Sequence, residues 1–324
     1  MCVNGIEKES NCDTNAKFVK ELEAKAENGL VCSVDYISFT VLNRDYNFET
    51  AIKEFGFDVS EFENCNKGGL GYSNMFKQSG GNVTVYCNGT ETMGIHFDIS
   101  SSGIASFVEH FKKVSVEETV NLENCIFQRV FERITAIGKV TRLDLAIDNI
   151  HDLYYEVSEL AEILKCKERY VSKFRTGYET KSFTDNGYTV YMGKRESDVM
   201  LRVYDKQAEQ NNKSKKEIVE YPWVRWELEI KGKKAKKLCE HIAEGRSIVE
   251  LSLGILSNYL RIIVPDDENK SRCTTDVKWE KFLNNMEKIS LCIPCSKKTL
   301  DEKMMWFSRQ YGSILAAYIF TQYG

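Results

Sequence analysis

An α+β fold, built on an antiparallel or mixed sheet flanked by helices and followed by a helical C-terminal region, is what this 324-residue sequence predicts. Three observations carry the prediction. Segments rich in β-branched and aromatic residues recur between positions 31 and 231, several alternating apolar and polar with period two. Long stretches of helical spacing, Ile104 to Lys113 and Leu153 to Cys166, are interleaved with them. From Lys233 onward the spacing becomes helical to the end of the chain.

Residues 1–29 are polar and rich in Glu, Lys and Asn, as in a frayed helix or disordered arm. Val31 to Leu42 (VCSVDYISFTVL) has the composition of a buried strand. Asn82 to Cys87 and Gly94 to Ser100 are further strands, joined by a turn around Asn88-Gly89. Lys67 to Tyr72 is glycine-rich but fits no phosphate-cradling pattern, and is expected to be a loop. Strands return at Val140 to Asn149, Tyr188 to Met192, Val199 to Tyr204 and Val224 to Lys231. Thr299 and Glu302 form a capping-box pair ahead of an apolar helix, Met304 to Phe320.

Composition narrows the class. Hydrophobic residues are 42% and charged residues 28%, with only 3 prolines and 20 glycines, which suits a globular protein rather than a disordered or fibrous one. No apolar run approaches the roughly 20 residues that span a bilayer. The opening MCVNGIEKES lacks the basic and apolar regions of a secretory signal, so a cytoplasmic location with no membrane partner is expected. The 11 cysteines are odd in number and irregularly spaced, the pattern of reduced, mostly buried thiols. Cys292 and Cys295 lack a second pair at zinc-finger spacing and are expected to flank a turn at Pro294. Net charge is −4, yet residues 194–237 hold 13 Lys and Arg against 8 Asp and Glu. Such a basic segment suits a polyanion, and equally suits a solvated face.

Three strands carry charge on alternate positions. Arg142, Asp144, Ala146 and Asp148 share one face, opposite Leu143, Leu145 and Ile147. Arg225, Glu227 and Glu229 share another, and Arg202, Tyr204 and Lys206 a third. Alternation alone leaves two readings open. Each strand could face solvent on its charged side, with Arg and Glu pairing across strands. The faces could instead converge, offering carboxylates for a divalent cation, arginines for phosphate and a tyrosine hydroxyl for attack. A tyrosine with a pKa of about 10 needs a nearby cation to act as a nucleophile at neutral pH. Mg²⁺ or Mn²⁺ on carboxylates, aided by Arg202 or Arg225, would supply that charge and steady the phosphate. Residues four apart on a strand are about 13 Å apart, too far for Asp144 and Asp148 to share one ion unless the strand bends. Asp144 with Glu227 is the favoured pair, with Glu229 and Asp148 behind them. The 4 histidines include no His-hydrophobic-His motif, which disfavours a histidine-ligated nickase. His96 and Asp98 share one strand face, as a structural pair or a support for the site.

These strings resemble a known family. Tyr191-Met192-Gly193-Lys194-Arg195-Glu196-Ser197, then Leu201-Arg202-Val203-Tyr204-Asp205-Lys206 and Glu209, resemble the signature of the trans-acting replication initiators. That family takes in rolling-circle plasmid initiators of Gram-positive bacteria and relaxases of integrative and conjugative elements. Thr141 to Asp148 is similar to its Arg-Leu-Asp-Leu-Ala-x-Asp strand, Trp223 to Glu229 to its Arg-x-Glu-x-Glu strand, and Ser33 to Phe39 to its first strand. Order and spacing hold over roughly residues 31–240, and Thr299 to Gly324 looks more like the relaxase and phage-type members.

The resemblance implies that Tyr204, rather than Tyr191, is the nucleophile, with Arg202 beside it. It also implies a metal-dependent nick at an origin, a 5′-phosphotyrosyl intermediate, a free 3′-hydroxyl and later rejoining. Asp144, Glu227, Glu229 and Asp148 are then candidate metal ligands, and Arg142, Arg195, Lys206 and Arg225 candidate DNA contacts. Residues 30–238 would form the nicking and joining domain, between an arm over 1–29 and a helical region over 239–324. Expected partners are origin DNA, a host helicase and polymerase, and a second copy in a homodimer. Two other readings keep the fold: a non-catalytic origin-binding protein that recruits a helicase, and a metal nuclease that activates water.

Overall fold

Period-two segments of the sequence fold as strands in the structure, a computed structural model. It describes residues 24–25, 29–42, 45–80, 82–115, 122–174, 178–183, 187–213 and 218–291, with 304, 305, 311 and 321. Nearly all of the expected arm, the Cys292–Cys295 pair, and most of the capped helix over 304–320 lie outside the described residues. Residues Met1–Leu291 form one compact unit and Cys292–Gly324 a second.

In chain order the strands are β1 (Val31–Val41), β2 (Phe62–Asn64), β3 (Asn74–Gln78), β4 (Val83–Cys87), β5 (Ile95–Ser100), β6 (Gly138–Ile150), β7 (Tyr178–Phe183), β8 (Gly187–Met192), β9 (Val199–Asp205) and β10 (Trp223–Lys231). With the two-residue strand Ala24–Lys25 beside β1 they make an 11-stranded sheet, ordered β2-β3-β4-β5-β1-β6-β10-β9-β8-β7. Its pairings are antiparallel, which resolves the antiparallel-or-mixed expectation. The helices are α1 (Phe48–Lys53), α2 (Ser101–Val114), α3 (Leu122–Ile137), α4 (Val157–Lys165), α5 (Lys206–Lys213), α6 (Gly232–Ala243), α7 (Ile248–Tyr259) and α8 (Val277–Leu283).

One sheet face is the core. Leu143, Leu145 and Ile147 of β6, Trp226, Leu228 and Ile230 of β10, and Leu201 and Val203 of β9 are all fully buried. Helix α6 packs on β6 and β10, α7 on β1 and β6, and α4 on β8 and β9. Each large side chain sunk this way contributes about 1.5–3 kcal/mol. Trp226 and Phe282, with ring centroids 4.9 Å apart, fasten α8 to the sheet. Phe39 stacks on Phe97 at 4.8 Å and links β1 to β5.

The expectation of helix from Lys233 to the end needs correction. After α6 and α7, Leu260–Ile262 is a strand paired with Tyr170–Ser172. The β-branched run Ile262-Ile263-Val264 favours extended backbone and ends the helical stretch. Strands β2, β3 and β7 and helices α1, α3 and α5 go beyond the elements expected from pattern. Phe62–Asn64 is too short for alternation to show. No helix among the described residues is long and apolar enough to cross a membrane.

Candidate active site

Strand register turns three separate sequence motifs into one patch. Tyr204 on β9 lies opposite Arg225 on β10, which lies opposite Asp148 on β6. One row along, Arg202 faces Glu227, which faces Ala146. In the next, Glu229 faces Asp144, and Asp144 faces Tyr36 on β1. The charged faces therefore converge. They are not solvated: Asp144 is 1% exposed, Asp148 2%, Glu227 4% and Tyr204 8%. Charges this deep persist only when paired and hydrogen-bonded.

Tyr204 sits among cations. The Arg202 guanidinium lies 4.8 Å from its ring centroid and the Lys206 ammonium 5.6 Å. Its hydroxyl donates to Glu227 Oε2 at 3.4 Å, and Arg202 Nη2 donates to the same oxygen at 2.5 Å. Burial pushes the phenol well above its ordinary pKa and Glu227 adds to this, while Arg225 and Arg202 pull it down. Burial and then Arg225 lower the Lys206 ammonium, although Glu209 holds it through a 2.5 Å bond. Tyr191 is the cross-strand partner of Arg202, one strand further from the acids.

The four candidate acids form two groups. Arg142 binds Asp144 in a fork, with Nε 2.9 Å from Oδ1, and reaches Glu229 Oε2 at 2.7 Å. Burial lifts the Asp144 carboxyl to about 7; Arg142 opposes the rise, and Glu227 and Glu229 reinforce it. Glu227 and Glu229 are thus each close enough to disfavour the charge on Asp144. Asp148 stands apart, four residues along β6. Arg225 holds it by two 2.7 Å bonds and Trp223 Nε1 adds a third at 2.6 Å. The remaining Arg225 donor reaches Asp35 Oδ1 at 2.6 Å. Ala146, the small residue of this β6 face, lies between Asp144 and Asp148 and pairs with Glu227 of β10 and Ser33 of β1.

The expected DNA contacts divide accordingly. Arg142 is about one-third exposed and Lys206 borders the tyrosine, whereas Arg225 is sequestered between two acids. Arg195 is exposed in the β8–β9 hairpin, where its carbonyl accepts from Lys231 at 2.5 Å. That turn lies beyond Glu229, at the opposite end of β9 from Tyr204.

Asp35 and Tyr36 are site residues that reasoning from motifs overlooked. A bulge in β1 between Val34 and Tyr36 shifts the register against β6. Both residues then fall outside the core set of Cys32, Val34, Ile37 and Phe39. The signal is visible in VCSVDYISFTV, where the apolar period skips a beat at Asp35-Tyr36. The Tyr36 ring lies 4.5 Å from the Arg142 guanidinium, and burial with the nearby Asp98 carboxylate pushes its hydroxyl well above the ordinary phenol range. His96 bonds Thr40 at 2.8 Å and Ser38 at 3.2 Å and lies 3.3 Å from Asp98. The His96–Asp98 pair therefore belongs to a braced network joined to the site through Tyr36.

Among the described residues, no three His, Cys, Asp or Glu side chains form a group arranged to hold a metal ion. Carboxylate oxygens are nonetheless the right donors for Mg²⁺ or Mn²⁺, and the mutual repulsion around Asp144 is what such an ion would relieve.

The chain is similar to known proteins. The chain is 25% identical over 299 residues to "Putative DNA relaxase NicK" of Bacillus subtilis (strain 168), covering 89% of this chain and 81% of that protein. Its fold is similar to the structure of a rolling circle replication initiator protein from Geobacillus stearothermophilus, with a TM-score of 0.66 and 24% identity. That match covers 82% of this chain and all of the other. A family model described as replication initiation factor matches residues 138–322, which takes in β6, β9 and β10 and more than half of the sequence. With the three charged strands in one patch and inside that match, the chain belongs to the Rep_trans family of replication initiation factors.

Proposed function

We propose that this protein nicks one strand of origin DNA with the Tyr204 hydroxyl and reseals it by the reverse reaction. The observation that carries the reading is the Tyr204 hydroxyl on Glu227 with Arg202 and Lys206 at its ring, inside a replication initiation factor. In the forward step the Tyr204 oxygen bonds to phosphorus and the phosphorus–O3′ bond breaks. The strand leaves with a 3′-hydroxyl, and its 5′-phosphate stays on the protein. Glu227 is placed to accept the phenolic proton, and the departing O3′ takes up a proton. Arg202 is placed to leave Glu227 for the phosphate as negative charge develops there. Arg142 supplies a second exposed guanidinium for the flanking backbone.

Asp144, Glu229 and Glu227 would hold Mg²⁺ or Mn²⁺, with Arg142 displaced; Asp148 is committed to Arg225. When bound, the ion supplies positive charge for the phosphate and for the phenolate. The free 3′-hydroxyl suits extension by a host polymerase, with a helicase opening the duplex, and a homodimer would bring a second tyrosine for termination. These partners rest on the family and on the products of the chemistry.

Wild-type protein incubated with origin-containing single-stranded DNA and Mg²⁺ or Mn²⁺ should form a covalent adduct, with Tyr204 as the modified residue. Tyr204→Phe should form none. An adduct that persists in Tyr204→Phe refutes the assignment, and a free 5′-phosphate without adduct selects a water-activating nuclease.

A further inference from the structure

Beside the nucleophile, the far ends of β6 and β10 carry a file of rings that the chemistry above does not use. The His151 and Tyr221 rings lie 4.8 Å apart, and Tyr221 lies 6.4 Å from Trp223. Lys206 connects this file to the nucleophile, with its ammonium 6.0 Å from the Trp223 ring and 5.6 Å from the Tyr204 ring. Arg202 lies on past Tyr204. Ring, ring, ring, cation, ring, cation therefore run in sequence along one edge of the patch.

The outer members are open to solvent: His151 is exposed and Tyr221 is 38% exposed, whereas most large aromatic side chains among the described residues are core. They are also held. The His151 backbone takes a left-handed φ of +67°, uncommon for a residue with a Cβ, and its amide donates to the Pro222 carbonyl at 3.0 Å. Asn149 braces the same turn by bonds to Asp152 and Tyr154. Trp223 is anchored by its indole donor on Asp148. The backbone that carries His151 is thus fixed, and the ring contacts keep His151, Tyr221 and Trp223 in file where a flat ligand can stack on them.

We infer that His151, Tyr221 and Trp223 form a stacking platform for the unpaired bases of a DNA single strand next to the scissile phosphate. The inference rests on the nicking function for the identity of the strand. Its physical basis is that every base has a π face and each base stacked on an aromatic side chain strengthens binding severalfold or more. Lys206 and Arg225 are already neutralised by Glu209 and by Asp148 with Asp35, so the platform contributes stacking rather than charge. It therefore favours unpaired over duplex DNA, whose bases are occupied with one another.

The test uses the full chain and a fluorescein-labelled oligothymidylate of about 15 nucleotides, a length that covers one single-strand site. His151→Ala and Tyr221→Ala should each weaken binding about tenfold. The loss should be equal at low and high salt, because no phosphate contact is removed. Tyr221→Trp should bind as tightly as wild type or tighter, which separates stacking from loss of fold. Binding by both alanine variants within twofold of wild type overturns the platform. So does a loss that appears equally with blunt duplex of the same length. Adduct formation is scored in parallel on origin DNA. Weakened oligothymidylate binding by the alanine variants with no Tyr204 adduct in wild type would retain the platform and remove the nicking reading; a normal adduct with unchanged binding would do the reverse.

Discussion

Replacing Arg225 with Met tests whether this residue holds the site together or contacts DNA. Its guanidinium makes two bonds to Asp148 at 2.7 Å and one to Asp35 at 2.6 Å, and both acids keep little exposure. Methionine keeps the stem and removes all three bonds, leaving Asp148 with the Trp223 indole alone. Removing one partner of a buried ion pair costs about 3–5 kcal/mol. For a unit of this size each kcal/mol lowers Tm by about 2–4 °C, so the expected fall is roughly 6–20 °C near neutral pH. Thermal unfolding of wild type and Arg225→Met, with Arg225→Met/Asp148→Asn as the partial rescue, reads this directly. A Tm loss below about 4 °C refutes the buried-triad argument. Weakened DNA binding without loss of stability would make Arg225 a phosphate contact after all.

Asp144, lifted to about 7 by burial, is raised in the fold, so its contribution to stability falls as pH rises between about 4 and about 7. Asp144→Asn should flatten that part of the Tm–pH curve, and an unchanged slope refutes the shift. Divalent-ion binding at Asp144 should strengthen as pH passes through about 7 and release a proton, which calorimetry in two buffers of different ionisation enthalpy detects. Ala146→Leu should cost about 1–3 kcal/mol by overpacking a fully buried position between Asp144 and Asp148, and a neutral result in chemical denaturation counts against that tight packing. Tyr191→Phe should leave the covalent adduct intact, because Tyr191 pairs with Arg202 one strand away from the acids; loss of the adduct would move the nucleophile.

Local pattern carried much of the fold. Strand-type composition located β1, β4, β5 and β8, and period-two alternation β6, β9 and β10, to within about two residues, because a strand with one face on a core must alternate. It failed where that logic lapses. The three residues of β2 are too few, and the Ile262 to Val264 run switches to strand after a helix by pairing with a segment about 90 residues earlier in the chain.

The sequence by itself determined that Arg142, Asp144, Asp148, Arg202, Tyr204, Arg225, Glu227 and Glu229 lie on polar strand faces, since that follows from side-chain direction along each strand; Lys206, expected on the same face as Tyr204, instead opens helix α5. Tertiary structure decided who meets whom. Register placed Glu229, not Glu227, directly opposite Asp144, gave Glu227 to Arg202 and Tyr204, and closed Arg225 between Asp148 and Asp35. It also sank the charged face that alternation alone equally allowed to be solvated. The physical reason is that alternation is a property of one strand, whereas pairing depends on how strands distant in sequence align. The bulge between Val34 and Tyr36, which brings Asp35 and Tyr36 to the site, is a feature of how β1 pairs with β6.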